Sequence, residues 1–326
     1  MIDTALFEKI LSIDSTSGRE RALADLLFET VDAPSKERFE LEDGSANLLF
    51  SWGEPKVVFC THMDTVPPYL PPVFDGDTVR GRGSCDAKGQ IIAMLSACRE
   101  LAAEGKDGFA LLLLSGEETG SFGAKAFSGR ISAPLLVIGE PTGNRPVSAS
   151  KGTRSFDVHF EGVPFHSGYP ERGRSAVDMF LDFMICLEVE AEFQRDRELG
   201  ETTWNVGELH SPNAQNILSP ALDCRIYFRT TFASEAAVDK WMARKVPGVS
   251  VVARGGDSPA RYFVPEGMKG VPAAFGSDAP HLAGFGKKMI CGPGSIMVAH
   301  RDDECVSLAE LEQATEIYKQ IYNTAL

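Results

Sequence analysis

The sequence predicts an α/β protein with a central mixed sheet, interrupted by an inserted α+β sandwich. Before residue 148, short apolar runs of strand length alternate with stretches of helical periodicity. Between residues 148 and 257 the strands alternate apolar and polar side chains, as half-exposed strands do. After residue 257 the first pattern returns. We therefore expect one domain at 1–147 and 258–326 and an inserted domain at 148–257.

The first part of the chain supplies most elements of the predicted sheet. Two amphipathic helices open it, and the capping-type run Ser15–Ser17 precedes the second. Buried strands are recognised by their length and by their Val, Leu and Phe content. Helices are predicted at 4–13, 18–31 and 88–104, and strands at 56–65, 109–114 and 134–138. Because strands alternate with helices, at least part of the sheet is expected to be parallel.

The inserted part has the order strand–helix–strand–strand–helix–strand, which indicates a small α+β sandwich. Its strands are predicted at 155–162, 202–209, 222–229 and 249–254, and its helices at 175–193 and 234–246. A strand at 287–292 and a helix at 307–325 then complete the α/β part of the chain.

Composition limits the classes of function. The chain has 326 residues, enough for about two domains, and its 43 % hydrophobic and 24 % charged residues are typical of a globular protein. Its longest apolar run, Phe109–Leu114, is far shorter than the roughly 20 residues that a membrane span needs. No basic segment precedes an apolar one at the N-terminus, so no secretory signal is expected.

Charge and cysteine content exclude further classes. The net charge of −14 repels phosphate backbones and anionic membranes, so neither nucleic acid nor membrane is expected as a partner. An acidic surface that merely keeps the protein in solution explains most of this charge. The seven cysteines include no C-x-x-C pair, which argues against a disulfide framework and against a cysteine-rich zinc module. We therefore expect reduced thiols and a cytoplasmic protein.

Five acidic or imidazole positions lie at or just beyond the ends of predicted strands, where open α/β sheets place their sites. They are His62, Asp86, the pair Glu117–Glu118, Glu140 and His300. Each position alone has an ordinary alternative: a strand-end histidine satisfied by a nearby carboxylate, or a solvated acidic turn. Asp64 shares a strand face with His62 and could accept its second ring N–H.

The glycine-rich segment Gly81–Gly89 carries Asp86 ahead of a predicted helix. Such a turn can hold a phosphate at the helix N-terminus. However, the spacing fits neither G-x-G-x-x-G nor G-x-x-x-x-G-K-[ST], and the Asp86 carboxylate would repel a phosphate. A metal, or a contact with the helix N-terminus, suits Asp86 better.

Together, two histidines and three or four carboxylates suit two zinc ions that share a bridging carboxylate. Two metals about 3.5–4 Å apart can activate a water and polarise a carbonyl group. The other histidines are not needed for this set. His159 and His210 are expected to be structural or surface groups, and His281 is the one rival to His300 as a ligand.

Six motifs, in this order and spacing, resemble the M20 family of metallopeptidases and amidohydrolases. They are THMDTVP, GRGSCDAKG, SGEETGS, IGEPT, PFHSG and AHRDDE. Within the family they look most similar to acetylornithine deacetylase, acetyl-lysine deacetylase and succinyl-diaminopimelate desuccinylase. The resemblance implies a zinc-dependent catalytic domain at 1–147 and 258–326 and a lid at 148–257, through which the chain would form a homodimer.

The resemblance also implies the metal ligands. His62 and Glu140 would hold one Zn²⁺, and Glu118 and His300 would hold the other. Asp86 would bridge the two ions. Co²⁺ or Mn²⁺ could substitute for Zn²⁺.

Catalytic and substrate-binding residues follow from the same resemblance. Asp64 would orient the first histidine ligand, and Glu117 would be the general base for the attacking water. In the lid, His166 would reach the site of the neighbouring subunit. Asn216 and Arg225 would bind the substrate.

The predicted reaction is therefore removal of an acyl group from an N-acyl-L-amino acid, with N-acetylornithine or N-acetyl-lysine as the expected substrate. Within the same chemistry, desuccinylase or dipeptidase activity is the alternative. An alternative from another class is a metal-binding regulatory protein that has lost turnover. Loss of Glu117 or of a ligand would have favoured that alternative, and all of them are present.

Overall fold

The chain folds into two compact units. The structure, a computed structural model, describes residues 1–325. Unit 1 consists of Met1–Ser148, Tyr262–Val271 and the chain from Ser277 onward, and unit 2 of Ala149–Arg261 and Pro272–Gly276. The catalytic role predicted for 1–147 with 258–326, and the lid role predicted for 148–257, stay predictions.

The helices and strands of the described residues are as follows. The helices are α1 (Thr4–Leu11), α2 (Arg21–Thr30), α3 (Lys88–Ala103), α4 (Phe122–Phe127), α5 (Ala176–Glu190), α6 (Glu235–Met242) and α7 (Leu308–Ala325). The strands are β1 (Ser35–Glu40), β2 (Ala46–Trp52), β3 (Val57–His62), β4 (Val73–Asp75), β5 (Thr78–Arg80), β6 (Phe109–Leu114), β7 (Ala133–Ile138), β8 (Val147–Ser150), β9 (Gly152–Glu161), β10 (Thr203–His210), β11 (Ala221–Thr230), β12 (Val249–Gly255), β13 (Ala260–Arg261), β14 (Val271–Ala273), β15 (Phe285–Ile290) and β16 (Cys305–Ser307).

Unit 1 is built on a six-stranded sheet in the order β1-β2-β6-β3-β7-β15. Strands β6, β3, β7 and β15 are parallel to one another, whereas β1 and β2 are antiparallel additions at one edge. The core packs helices α1, α3 and α7 against the sheet through side chains such as Phe7, Ile91 and Tyr318. The predicted mixed sheet is thus confirmed. Its fully buried strands β3 and β6 correspond to the buried strands predicted at 56–65 and 109–114.

Unit 2 contains a four-stranded antiparallel sheet in the order β10-β11-β9-β12. Helices α5 and α6 pack on one face, where Phe160, Phe183 and Trp241 form the centre of the core. Along β11, alternate residues are buried and half-exposed, as the alternating sequence predicts. The predicted order strand–helix–strand–strand–helix–strand is the one observed.

Most observed boundaries differ by a few residues from the predicted ones, and two of the differences have clear local reasons. Helix α2 begins at Arg21 rather than at residue 18, because Gly18 has a φ of +89°, a value that no helical residue adopts. Strand β3 ends at His62 rather than at residue 65. Beyond it, Thr65 exchanges backbone hydrogen bonds with Ser15 and Ser17, which turns the chain out of the sheet.

Helix α5 presents an apolar stripe to the surface. Val177, Leu181, Ile185 and Val189 recur every four residues and are 37–75 % exposed. Single exposed apolar residues are ordinary, whereas four of them in line along one helix are not. Among residues 1–325, no helix, α5 included, has both the length and the apolar character needed to cross a bilayer.

Candidate metal centre

Three parallel strands of unit 1 deliver candidate residues to the same edge of the sheet. His62 is the last residue of β3, Glu117 and Glu118 follow β6, and Glu140 follows β7. Because β3 pairs in parallel with both β6 and β7, their carboxyl ends lie side by side. The acidic and imidazole residues that the sequence places after separate strands are therefore neighbours in space.

Asp86 and His300 reach this edge from two loops. Asp86 precedes α3, and its Oδ1 lies 3.2 Å from Nε2 of His62. Its Oδ2 lies 3.2 Å from Nε2 of His300, so each oxygen faces a different histidine. Nε2 of His300 also lies 2.9 Å from Oε1 of Glu118. His300 has a φ of +64°, a left-handed conformation that is uncommon for a residue with a side chain and common at functional sites.

The side chains form overlapping donor sets whose ligand atoms lie within 4.8 Å of one another. The sets are His62–Asp86–Glu140, Asp86–Glu118–His300 and His62–Glu117–Glu118. The first two share only Asp86, which is the arrangement that two ions with one bridging carboxylate require. Imidazole nitrogens and carboxylate oxygens are donors that zinc accepts in hydrolytic sites. The residues therefore fit the implied metals, while the number and identity of the ions stay predictions.

The electrostatics of the cluster favour a cation. Burial raises the pKa of Glu117 and of Glu140 well above the ordinary value, and neighbouring carboxylates add to the effect. Burial acts in the same direction on Asp86, but hydrogen bonds from His300 and His62 outweigh it and lower its pKa. Hydrogen bonds to Asp86 and Glu118 raise the pKa of His300 to about 10. Without metal, the carboxylate and imidazole atoms of the cluster therefore bind protons. A divalent cation that used the same atoms as ligands would have to displace these protons.

Asp64 lies behind the cluster and is completely buried. The sequence predicts that its carboxylate orients His62, but Nδ1 of His62 lies 2.9 Å from the backbone oxygen of Asp64 and 3.4 Å from Oδ1. The carboxylate also accepts the backbone N–H groups of Glu117 at 3.0 Å and Glu118 at 3.1 Å, and the Ser17 hydroxyl at 2.8 Å. Asp64 therefore holds the loop of the two glutamates as well as the histidine.

The sequence did not single out Asp278, which faces the same cluster. Its carboxylate is 2 % exposed, and burial raises its pKa to about 6. The Ser121 side chain, on the loop of Glu117 and Glu118, hydrogen bonds to it. Among the described residues, its Oδ1 has no hydrogen-bond partner. Asp278 does not directly follow a strand, so a search for acidic residues at strand ends does not find it. In the sequence analysis, its segment Gly276–His281 drew attention only because it contains His281.

His166 and Asn216 are neighbours in unit 2. The backbone N–H of Ser167 donates to the backbone oxygen of Asn216 at 2.9 Å, and His166 forms a β-bridge with Ile217. The backbone N–H of Gly168 donates to Nδ1 of His166 at 3.1 Å. A neutral His166 therefore carries its proton on Nε2, where it can donate a hydrogen bond.

Arg225 makes two ion pairs inside unit 2, and the substrate-binding role predicted for it stays a prediction. Its Nε donates to Asp157 at 2.8 Å and its Nη1 to Glu208 at 2.7 Å, both from strands adjacent to β11. These carboxylates occupy the fork that a substrate carboxylate would need. Four residues along the same face of β11, Arg229 lies over the ring of Tyr227 and has no carboxylate partner among residues 1–325. Apolar and polar residues alternate along β11, which places Arg229 on the same face as Arg225. This alternation is the sequence signal by which Arg229 could have been found.

Comparison with known proteins gives consistent results. The family model described as peptidase family M20/M25/M40 matches residues 58–324. An M20 peptidase domain-containing protein of Schizosaccharomyces pombe is 31 % identical over 97 % of this chain and 83 % of its own length. A probable carboxypeptidase of Emericella nidulans is 30 % identical over 99 % of this chain and 89 % of its own length.

Solved structures show the same fold over the full chain. A tripeptidase of Staphylococcus aureus superposes with a TM-score of 0.79 at 18 % identity and covers 100 % of this chain and 99 % of its own. An M20 metallo-carboxypeptidase of Sulfolobus solfataricus superposes with a TM-score of 0.76 at 14 % identity, with coverage of 100 % and 99 %. These proteins are named as peptidases, and they do not confirm the predicted closeness to acetylornithine deacetylase.

Proposed function

We propose, from the premise that the chain belongs to peptidase family M20/M25/M40, that it hydrolyses an amide bond whose amine side is an amino acid with a free carboxylate. This describes a carboxypeptidase or dipeptidase, and it includes the predicted N-acyl amino acid deacylase as the case with a small acyl group. The observation that carries the proposal is the pair of donor sets joined at Asp86, with the buried Glu117 beside them.

The metals would be held as the donor sets indicate. His62 and Glu140 would hold one ion, Glu118 and His300 the other, and Asp86 both. When bound, the ions would polarise the scissile carbonyl group and make water easier to deprotonate. Zinc is the ion we propose, with Co²⁺ or Mn²⁺ as substitutes.

Glu117 would move the proton. It would take a proton from the attacking water as the oxygen bonds to the carbonyl carbon, and later give it to the amide nitrogen as the C–N bond breaks. Glu117 lies in one of the donor sets with His62 and Glu118, and without metal burial raises its pKa. Asp64 would support this role, because it accepts the backbone N–H of Glu117.

His166 would stabilise the oxygen of the scissile carbonyl as negative charge develops there. Its Nδ1 accepts the Gly168 N–H, which leaves Nε2–H free to donate. We propose that this donor serves the site of a partner subunit in a homodimer. The support for a dimer is the exposed apolar stripe of α5, Val177 to Val189, which a second copy of unit 2 would cover.

Substrate recognition would use Asn216 and an arginine of β11. The sequence predicts Arg225, but its guanidinium is held by Asp157 and Glu208. Arg229 has no such partner among the described residues, so we propose it as the group that binds the substrate carboxylate.

A substrate panel tests the proposal. Purified protein with added Zn²⁺ is assayed for amine release from dipeptides, N-acetylornithine, N-acetyl-lysine, N-succinyl-diaminopimelate and the same dipeptides with amidated C-termini. We expect hydrolysis of the free dipeptides and none of the amidated ones, with Glu117→Gln as the inactive control. Equal cleavage of amidated peptides would overturn the requirement for a carboxylate. Release from N-acetylornithine or N-acetyl-lysine alone would narrow the function to the deacetylase predicted from the sequence.

A further inference from the structure

We propose that Glu304 is a positioning residue for the metal centre, because its buried carboxylate holds the loop that presents Asp86. The proposal rests on the proposed function in one respect only: it takes Asp86 to be the shared metal ligand. Glu304 is the last residue of the motif AHRDDE, four residues after His300, and the sequence assigned it no role.

The whole Glu304 carboxylate is bonded to one short loop. Its Oε1 accepts the backbone N–H groups of Gly83 at 2.9 Å, Cys85 at 3.1 Å and Asp86 at 3.0 Å. Its Oε2 accepts Nη1 of Arg82 at 2.6 Å. Three amide dipoles and one guanidinium therefore converge on an anion that lies more than two hundred residues further along the chain. Charge-assisted hydrogen bonds of this kind are about twice as strong as neutral ones.

The glycines of the loop make this wrapping possible. Gly81 has a φ of +128° and Gly83 a φ of +85°, values that side chains rarely allow. A Cβ on Gly83 would lie 2.9 Å from the Lys88 side chain. The loop thus forms an anion-binding concavity such as those that hold phosphate, but its amides are filled by the protein's own Glu304.

Burial makes the loss of the contact between Glu304 and Arg82 costly. Glu304 is 0 % exposed and Arg82 is 1 % exposed, so neither charge can be satisfied by water if the partner is lost. The Asp86 N–H is one of the three bonded amides, which sets the backbone from which the bridging carboxylate projects. Because His300 lies on the same segment, Glu304 also ties the two loops that carry Asp86 and His300 to each other.

A purely structural ion pair would behave differently. Removing such a pair would lower the stability of unit 1 without changing how its ligands bind metal. A positioning residue affects metal affinity and ligand geometry even in protein that stays folded, and substitutions behind metal ligands typically cost about 10–100-fold in affinity. Metal affinity and the absorption spectrum of bound Co²⁺ therefore separate the two roles.

The test compares Glu304→Gln with wild type and with Ile92→Val, a conservative substitution of a buried core residue on α3. Zn²⁺ affinity is measured by chelator competition, the Co²⁺ spectrum by absorption, and folding by circular dichroism. We expect Glu304→Gln to lose about 10–100-fold in Zn²⁺ affinity and to show an altered Co²⁺ spectrum. Ile92→Val should change neither.

Two outcomes would overturn the inference, and they differ in what becomes of the proposed function. If wild type binds metal and folded Glu304→Gln binds it with the same affinity and spectrum, the positioning role is wrong and the proposed function stands. If wild type binds no metal, the proposed function fails, and the positioning role fails with it. Should Glu304→Gln not fold, Arg82→Lys serves instead. It removes the guanidinium from Oε2, together with its bonds to the backbone oxygens of Pro68 and Arg301, and leaves the three backbone N–H groups on Oε1. A smaller loss of affinity is then expected, and unchanged affinity would contradict the role.

Discussion

Asp64 accepts the backbone N–H of Glu117 at 3.0 Å, so a carboxylate at the end of one strand holds the loop that follows its neighbour. The same carboxylate accepts the N–H of Glu118 and the hydroxyl of Ser17. His62 makes its shorter contact with the Asp64 backbone oxygen. The carboxylate thus has more contacts with the loop that carries the proposed base than with the histidine it was expected to orient.

Asp64→Asn should therefore reduce kcat more than metal content. The amide of asparagine has only one oxygen to accept the two loop N–H groups and the Ser17 hydroxyl, whereas the backbone contact of His62 is unchanged. We expect kcat to fall by at least about tenfold, consistent with a misplaced general base. Metal content by atomic spectroscopy should stay near the wild-type value. Ser17→Ala, which removes a single donor, is the matched control and should have a small effect.

Glu117→Gln should keep the metals and lose activity. Glutamine matches the shape of glutamate but cannot accept a proton, and general-base catalysis contributes about 10²–10⁴-fold to a rate. The measurement pairs kcat with metal content on the same preparation. If metal and activity disappear together, Glu117 is a metal ligand, as the donor set His62–Glu117–Glu118 would allow. The assignment of Glu117 as base and Glu118 as ligand would then be wrong.

Metal binding should release protons and become tighter as the pH rises. In the metal-free protein, hydrogen bonds to Asp86 and Glu118 raise the pKa of His300 to about 10, so its ring is protonated at pH 7. A metal needs the neutral ring, so binding expels this proton, and a higher pH lowers the cost of expelling it. Calorimetry in buffers of different ionisation enthalpy counts the protons. His300→Ala should release fewer protons than wild type, and an equal count would contradict this protonation state.

Arg229→Lys should raise KM for substrates with a free carboxylate more than Arg225→Lys does. Arg229 has no carboxylate partner in the described chain, whereas Arg225 is bonded to Asp157 and Glu208. Lysine cannot reproduce a two-pronged bond to a carboxylate. Steady-state kinetics on both variants, with metal content as the control, distinguish the two residues. A larger effect at Arg225 would restore the role predicted from the sequence.

Complementation tests whether His166 acts in a partner subunit. His166→Ala and Glu117→Gln should each be nearly inactive alone. In a mixed dimer, the His166→Ala chain keeps its base and receives an intact His166 from its partner. With free exchange, half the dimers are mixed and one of their two sites works, so activity should recover to about a quarter of wild type. No recovery in a sample shown to have exchanged subunits would place His166 in its own chain's site or outside the mechanism.

Much of the fold followed from local pattern. The apolar runs that became β3 and β6, and the helical spacing that became α3, depend only on side chains close together in the chain. Element boundaries did not follow from this pattern. Gly18 delays the start of α2 through its positive φ, and Thr65 ends β3 through backbone hydrogen bonds with Ser15 and Ser17; periodicity reports neither.

The sequence by itself determined which residue types stand at strand ends, and therefore that His62, Glu118 and Glu140 meet at one edge of a parallel sheet. Only the tertiary structure decided which atoms pair: the carboxylate of Asp64 with the amide of Glu117, that of Glu304 with the loop of Asp86, and Arg225 with two carboxylates. The physical reason is that strand-end position is a local property of the chain. A hydrogen bond between residues 218 positions apart, as between Asp86 and Glu304, depends on loop conformation and side-chain direction.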